Sequence, residues 1–394
     1  MKSSLGKLMR NSLPLTKKAE AKIIENRRLR WSRLAEARKL CTGERVEHCN
    51  WTPVSYVVEI WKSRSGKPSY FRAVATCGSV WMCPVCADKI TAKRQTELKQ
   101  AVENAKMMGL TVYMFTFTVG HKRKDSAEDV LRLMLEAVRK LKGRKFWTRI
   151  RSRLGIVGSV TNLESTFSED NGTHAHKHIL EFASVALNKK EIKLLRDEVS
   201  AVYSAIVSGL GGYVDGVHDV DIVAGDDYIA EYIAKYGRDP KDKKQDNISY
   251  EMTRSATKTK SFIDGHFTAF QLLDLSADGN VWARGMFIAY RKAFRGRAQL
   301  TWSKDLRDLL GLDEEQTDQE IANEIKDDEF NFANMRKEDW KRARLVPHDV
   351  LEASRSMTYK EFVDHMAIMY DVTIESPVLT LVSEWNGEKI TLSK

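Results

Sequence analysis

Three cysteines within ten residues, Cys77, Cys83 and Cys86 in TCGSVWMCPVCADK, constrain this chain more than any other feature. The C-P-V-C turn holds two thiolates at the spacing that lets them share one tetrahedral ion, and such a site needs four ligands. Val54 to Trp61 and Ser69 to Thr76 are β-prone runs on either side of Ser63-Arg64-Ser65-Gly66-Lys67-Pro68, which reads as a hairpin. That hairpin starts just after Cys49 and ends just before Cys77. It therefore selects Cys49 as the fourth ligand over Cys41 and His48. Four protein ligands leave no open position, so the expected zinc is structural. The bland alternative is a set of buried free thiols.

Charge divides unevenly along the 394 residues. Residues 1–40 carry a net +9, residues 41–300 a net +10, and residues 301–394 a net −9. A basic body suits a polyanionic partner, nucleic acid first, although a solvated basic surface gives the same count. No apolar run approaches the ~20 residues that span a bilayer, and residues 1–40 are too charged for a signal sequence. A soluble, cytoplasmic protein with no membrane contact is expected.

Periodicity places the elements. Thr111 to Val119 reads as a strand with Phe115, Phe117 and Val119 on one face. A helix follows from the Ser126 cap to about Lys142. Ile156 to Phe167 and His174 to Phe182 read as strands about Asp170-Asn171-Gly172, Asn188 and Glu191 as a capping box for a helix to Gly209, and Asp226/Asp227 to Gly237 as a short capped helix. Leu272 to Tyr290 reads as strand-like or mixed. Residues 313–329 hold nine acids and one Lys, which reads as a solvated helix or linker. No G-x-x-x-x-G-K-[ST] phosphate loop occurs, so no ATP-driven helicase is expected within the chain.

In GTHAHKHIL, His174, His176 and His178 occupy alternate positions, so on a strand they share a face. A three-residue loop at Asp170-Asn171-Gly172 with Gly172 left-handed sets Glu164 opposite His178 on that face; a two-residue loop would turn Glu164 away. Two imidazoles and a carboxylate with open positions describe a catalytic metal site. In DDYIAEYIAKYG, Tyr228, Tyr232 and Tyr236 recur every four residues with Lys235 beside the last. A phenol has a pKa near ~10, so nucleophilic use needs a nearby cation or metal, whereas core packing needs neither.

Taken with CGSVWMCPVCADKI, FTFTVGH at Phe115 to His121, LESTFSEDNGTHAHKHIL at Leu163 to Leu180, YIAKY at Tyr232 to Tyr236 and FRGRAQLTWSKDLR at Phe294 to Arg307, the chain resembles the replication initiators of rolling-circle plasmids, within the HUH endonuclease superfamily. The resemblance covers roughly residues 45–310. It implies an α+β fold with an antiparallel β-sheet HUH endonuclease core and flanking helices, an N-terminal zinc-binding module and a C-terminal helical region. The domains expected are a basic helical arm (1–40), a Cys-rich zinc module (41–105), the nicking-joining domain (106–310) and an acidic, mainly helical region (311–394).

It further implies a magnesium or manganese ion on Glu164, His176 and His178, with His174 a lesser candidate. Tyr232 would attack a DNA phosphate at an origin, in a single strand or a hairpin, leaving a 5′-phosphotyrosine and a free 3′-OH primer. A host helicase and DNA polymerase would act next. Three positions depart from the family pattern. Lys177 replaces the usual hydrophobic residue between the histidines, Tyr228 stands where a Glu is common, and Asp305 where a Gly is common. The second departure implies termination through a second tyrosine, Tyr236, with Lys235 on phosphate or phenolate. A transposase or mobilisation relaxase would use the same chemistry, and a zinc-containing DNA-binding regulator would use none of it.

Overall fold

The computed structural model describes residues 17–64, 69–214, 219–224, 265–377, 381–385 and 388–392. These divide into two compact units. The larger comprises 33–54 and 74–327; the smaller takes the residues up to 32, 55–73 and those from 328 onward. Among the described residues no helix is long and apolar enough to cross a membrane.

The larger unit is a mixed α/β fold built on an open antiparallel sheet. Its strands are β3 (Thr111–Phe117), β4 (Ile156–Ser168), β5 (Gly172–Ala183), β6 (Val220–Ala224), β7 (His266–Thr268) and β8 (Leu300–Trp302). The order is β6-β3-β5-β4-β7, with β8 pairing a different stretch of β4. The two long strands, β4 and β5, are the hairpin expected around Asp170-Asn171-Gly172, and Gly172 is left-handed at φ +76°. The register differs from expectation. Ser168 pairs with Gly172, so the loop is Glu169 to Asn171, held by the Asn171 N–H donating to Ser168 Oγ at 3.0 Å. Glu164 therefore pairs with His176 and not with His178. The shift is two positions along β5, which preserves the face because side chains alternate.

Each face of this sheet carries its own core. On one, Trp147 of α5 (Lys145–Leu154) packs against Phe115 and Phe117 at 5.5 and 6.4 Å, and Tyr203 of α6 (Lys189–Gly209) meets Phe117 at 5.1 Å. Helix α4 (Ala127–Lys142) starts at the predicted Ser126 cap, whose Oγ accepts from Asp129 N, and the Asn188 capping box of α6 is formed as expected. On the other face, Leu98, Ala101 and Ala105 of α3 (Pro84–Met107) bury Val112, Met114, Val160, Leu180 and Phe182, together with Leu300, Leu306 and Leu310.

Leu272 to Tyr290 is helical, not strand-like. Two helices, Ala269–Ala277 and Val281–Phe294, begin at a Thr268–Gln271 capping box and an Asn280 cap. Ala283, Phe287, Tyr290 and Phe294 recur at helical spacing and are buried, so the caps and period outweigh local β-propensity. Within this unit the C-terminal part of α1 (Lys17–Leu40) is not a free arm. Leu34 and Ala37 are fully buried, and Arg33 forks onto Asp274 at 2.6 and 2.8 Å. Nor is the acidic segment wholly solvated. Asp318–Asn323 is a helix that buries Ile321 and Ala322, and Arg94 of α3 binds Glu315 and Asp318 at 3.2 and 3.4 Å.

The smaller unit holds a three-stranded antiparallel sheet. The expected hairpin, β1 (Val57–Ser63) with β2 (Tyr70–Arg72), is present, and β1 also pairs with β9 (Glu329–Arg336). Phe71 fills the core between Trp340 and Trp31, at 4.9 and 5.8 Å. The region after residue 311 thus carries strands as well as helices, including the hairpin Leu381–Trp385 and Glu388–Leu392.

Candidate metal centres and nucleic-acid site

The residues flanking the hairpin bring the cysteines together. Asn50 N–H donates to Ala75 O at 2.7 Å and Ala75 N–H to Thr52 O at 2.8 Å, which sets Cys49 beside Cys77. Cys83 caps α3, with Pro84 in its first turn, and Cys86 follows one turn on. Cys49 Sγ lies 3.5 Å from Cys83 Sγ and 3.6 Å from Cys86 Sγ, and Cys77 Sγ lies 3.7 Å from Cys86 Sγ. A tetrahedral zinc with Zn–S near ~2.3 Å requires sulfurs about 3.8 Å apart, so the four buried thiols fit. Cys49, Cys77, Cys83 and Cys86 are, among the described residues, the one group of three or more His, Cys, Asp or Glu side chains whose donor atoms lie mutually within 4.8 Å.

Amide donors reach three sulfurs at 3.4 Å each: Asn50 Nδ2 to Cys49, Ser79 N to Cys77 and Cys86 N to Cys83. Hydrogen bonds from Cys77 first, then Cys83 and Cys86, push the Cys49 thiol down, while burial pushes Cys83 well up. Burial alone would keep the Cys83 thiol protonated, so its use as a thiolate ligand calls for a cation. Arg38 steadies the first ligand by donating to the carbonyls of Cys49 and Asn50, at 2.7 and 3.0 Å from Nη2. Cys41 stands apart. Burial pushes its thiol up to about 11, which suits a packed, protonated group.

Strand pairing lays out the histidine face in rows. Met114, Leu180 and Val160 form the last apolar row; the next is Asp221, Thr116, His178 and Asn162; then His176 with Glu164, then His174 with Thr166. The sheet face changes from core to polar site within one pleat. His178, 3% exposed, has Nε2 at 3.2 Å from Glu164 Oε2 and Nδ1 at 3.0 Å from Thr116 Oγ1. The His176 and His178 rings are parallel at 5.9 Å, His174 meets His176 at 4.2 Å, and His121 meets His174 at 4.7 Å.

Glu164, His176 and His178 thus share a face as expected, but their donor atoms do not close to the spacing of the cysteine set. A carboxylate with two imidazoles is nevertheless a donor set that divalent ions accept. Lys177 pairs with Phe117 and Leu163, so it lies on the opposite face, where burial, then Lys142 and Arg297, push it down to about 8. Tyr228, Tyr232, Lys235 and Tyr236, with the capped helix expected around them, lie outside the described residues.

Three residues of the site escaped the sequence reading. Thr116 is the polar break in the Phe115/Phe117 alternation and could have been flagged by it. His121 lies four residues past the end of β3. Asn162 is 0% exposed with neither amide atom hydrogen-bonded among the described residues, and only the register places it beside His178. Asp305, where a Gly was noted as common, adopts the left-handed conformation at φ +62°.

No protein-family profile matches the chain, and no solved structure matches it. Two curated proteins do. A "Protein rep" of Streptomyces lividans is 26% identical over 307 aligned residues, covering 60% of this chain and 64% of the relative. A "Neomycin resistance protein" of Streptomyces cyanogenus is 27% identical over 128 residues, covering 26% of this chain and 29% of the relative. The chain spans less than two thirds of the length of either, so it stands as a distant relative of a Rep protein, with an open antiparallel sheet and a buried four-cysteine centre of zinc-site geometry.

Proposed function

We propose that the protein nicks and rejoins one DNA strand as a rolling-circle replication initiator, through an HUH-type site on the β4–β5 hairpin. The observation that carries the reading is the Glu164–His178–Thr116 arrangement: a buried imidazole with one nitrogen on a carboxylate and the other on a hydroxyl, in the row before His176. Similarity to a Rep protein supports it. Thr116 holds the ring of His178 through Nδ1, so that Nε2 faces the same space as Glu164. His176 adds a second imidazole from the next row. A bound magnesium or manganese ion would supply Lewis-acid polarisation of the scissile phosphate.

On the family resemblance the nucleophile is Tyr232. Its phenolate oxygen bonds to phosphorus as the P–O3′ bond breaks, and the departing oxygen takes a proton to become the 3′-OH. The 5′ end stays on the tyrosine. Because the phosphodiester is exchanged and not hydrolysed, rejoining needs no nucleotide, and Tyr236 would take the second transfer.

One observation favours a zinc-containing DNA-binding regulator instead: among the described residues the donor atoms of the four cysteines close to a metal-site spacing and those of Glu164, His176 and His178 do not. The deciding experiment is incubation with labelled single strands tiled across the encoding replicon, with magnesium or manganese, scored for covalent protein–DNA adducts. An adduct on one tile supports the nicking reading. Binding without any adduct on any tile favours the regulator.

A further inference from the structure

Among the described residues a dense run of exposed positive charge lies away from the histidines. Between Glu136 and Glu164 the chain has no acid, and residues 139–153 hold eight cations: Arg139, Lys140, Lys142, Arg144, Lys145, Arg149, Arg151 and Arg153. Six of them, all but Lys142 and Arg151, are exposed. They ride on the last turn of α4, on Arg144 of the two-residue link Gly143-Arg144, and on α5. Trp147, Ile150 and Leu154, all at most 1% exposed, fix α5 to the sheet. Its opposite stripe is Lys145, Arg149 and Arg153 at i, i+4 and i+8, about 12 Å long. Among the described residues the exposed six form ion pairs only at the edges, Glu136 to Arg139 at 2.6 Å and Glu198 to Arg153 at 2.9 Å. Lys140, Arg144, Lys145 and Arg149 make no ion pair among the described residues.

This surface faces away from the histidines. Trp147 packs on Phe115 and Phe117, whereas Thr116 between them reaches His178 on the other side of the pleat.

We propose that this α4–α5 surface binds the phosphate backbone of double-stranded DNA, as a second nucleic-acid contact on the reverse of the sheet. Three features select that partner. The apolar stripe of α5 is consumed by the protein's own core, so none is left to enter a membrane. No large hydrophobic side chain of residues 139–155 is exposed to seed a protein interface. Single strands are held by stacking on exposed aromatic rings, whereas here Trp147 is buried and Phe146 half-buried. Rigid, closely spaced cations without base-reading groups bind phosphates regardless of sequence, and the mutual repulsion of Lys145, Arg149 and Arg153 is relieved by a polyanion. The inference rests on the nucleic-acid reading above for the nature of the polyanion, and not on nicking.

The test compares the zinc-loaded full chain with K145Q/R149Q/R153Q and K145E/R149E/R153E, using a labelled blunt duplex without added divalent ion. Fluorescence anisotropy across a salt series gives the slope of log Kobs against log salt. The Gln set should lower that slope by roughly 2 to 3, at about 0.9 per lost phosphate contact. The Glu set should weaken low-salt binding at least as much, and both should leave adduct formation on a short single strand unchanged. If the Glu set fails to fold by circular dichroism, the Gln set decides alone. An unchanged duplex slope overturns the proposal, as does wild-type binding to phosphatidylserine vesicles that the Gln set loses. A lowered slope in a protein that forms no adduct on any strand upholds this surface and defeats the nicking reading.

Discussion

Replacing Glu181 by Gln should make the protein more stable, and only at high pH. Glu181 lies on β5 between Tyr113 and Ser159, fully buried, and neither carboxylate oxygen is hydrogen-bonded among the described residues. Burial pushes its carboxyl up from an ordinary 4.5 to about 7, against the opposing pull of Lys142 and Arg151. The folded state therefore holds a proton that the unfolded state releases between pH ~4.5 and ~7. Stability from this group is fully present below the lower value, falls as pH rises through the window, and is lost above the upper one. The difference of about 2.5 units corresponds to about 3 kcal/mol at 1.36 kcal/mol per unit. Gln keeps the shape and cannot ionise, so E181Q should exceed the wild type by up to ~3 kcal/mol at pH 8.5 and match it near pH 4.5. Urea unfolding of both proteins across that range, with zinc present, measures the difference while all other titrating groups cancel. Refutation would be a variant less stable than the wild type by the same amount at every pH, since that marks a charged, paired carboxylate.

Three further outcomes are expected. Elemental analysis should find about one zinc per chain, lost in Cys49→Ser and kept in Cys41→Ser, because only the former removes a tetrahedral ligand. Thr116→Val should weaken manganese binding measured by calorimetry, by the 10- to 100-fold typical of removing a group that orients a metal-binding histidine, and Thr116→Ser should restore it. Asp305→Gly should stabilise the protein by up to about 1 kcal/mol in thermal melts, by relieving a left-handed backbone that L side chains resist.

What was legible in the sequence follows from how local its cause is. The Cys49–Cys77 meeting needed only a hairpin, and the Ser126 and Asn188 caps needed only three-residue patterns. The shared face of Glu164, His176 and His178 survived a wrong register because alternate positions on β5 are all histidines. The register itself turned on whether the loop starts at Glu169 or Asp170; it starts at Glu169, with Asn171 N–H on Ser168 Oγ. Leu272 to Tyr290 was misread because its apolar residues suit either period until the Thr268 and Asn280 caps are weighed. The pairing of β1 with Glu329–Arg336 and the burial of Leu34 and Ala37 depend on partners distant in sequence, which no local pattern announces.

The central claim is that the histidine face serves a tyrosine nucleophile, and peptide mapping of a trapped DNA adduct tests it most directly. The wild type, incubated with its cleavable strand and manganese, should carry the 5′-phosphate on Tyr232. Tyr232→Phe should carry none, and His178→Ala should bind the strand yet form no adduct, because affinity comes mainly from cations meeting phosphates. An adduct on Tyr228 or Tyr236 in the wild type, or wild-type adduct formation by His178→Ala, would contradict the account.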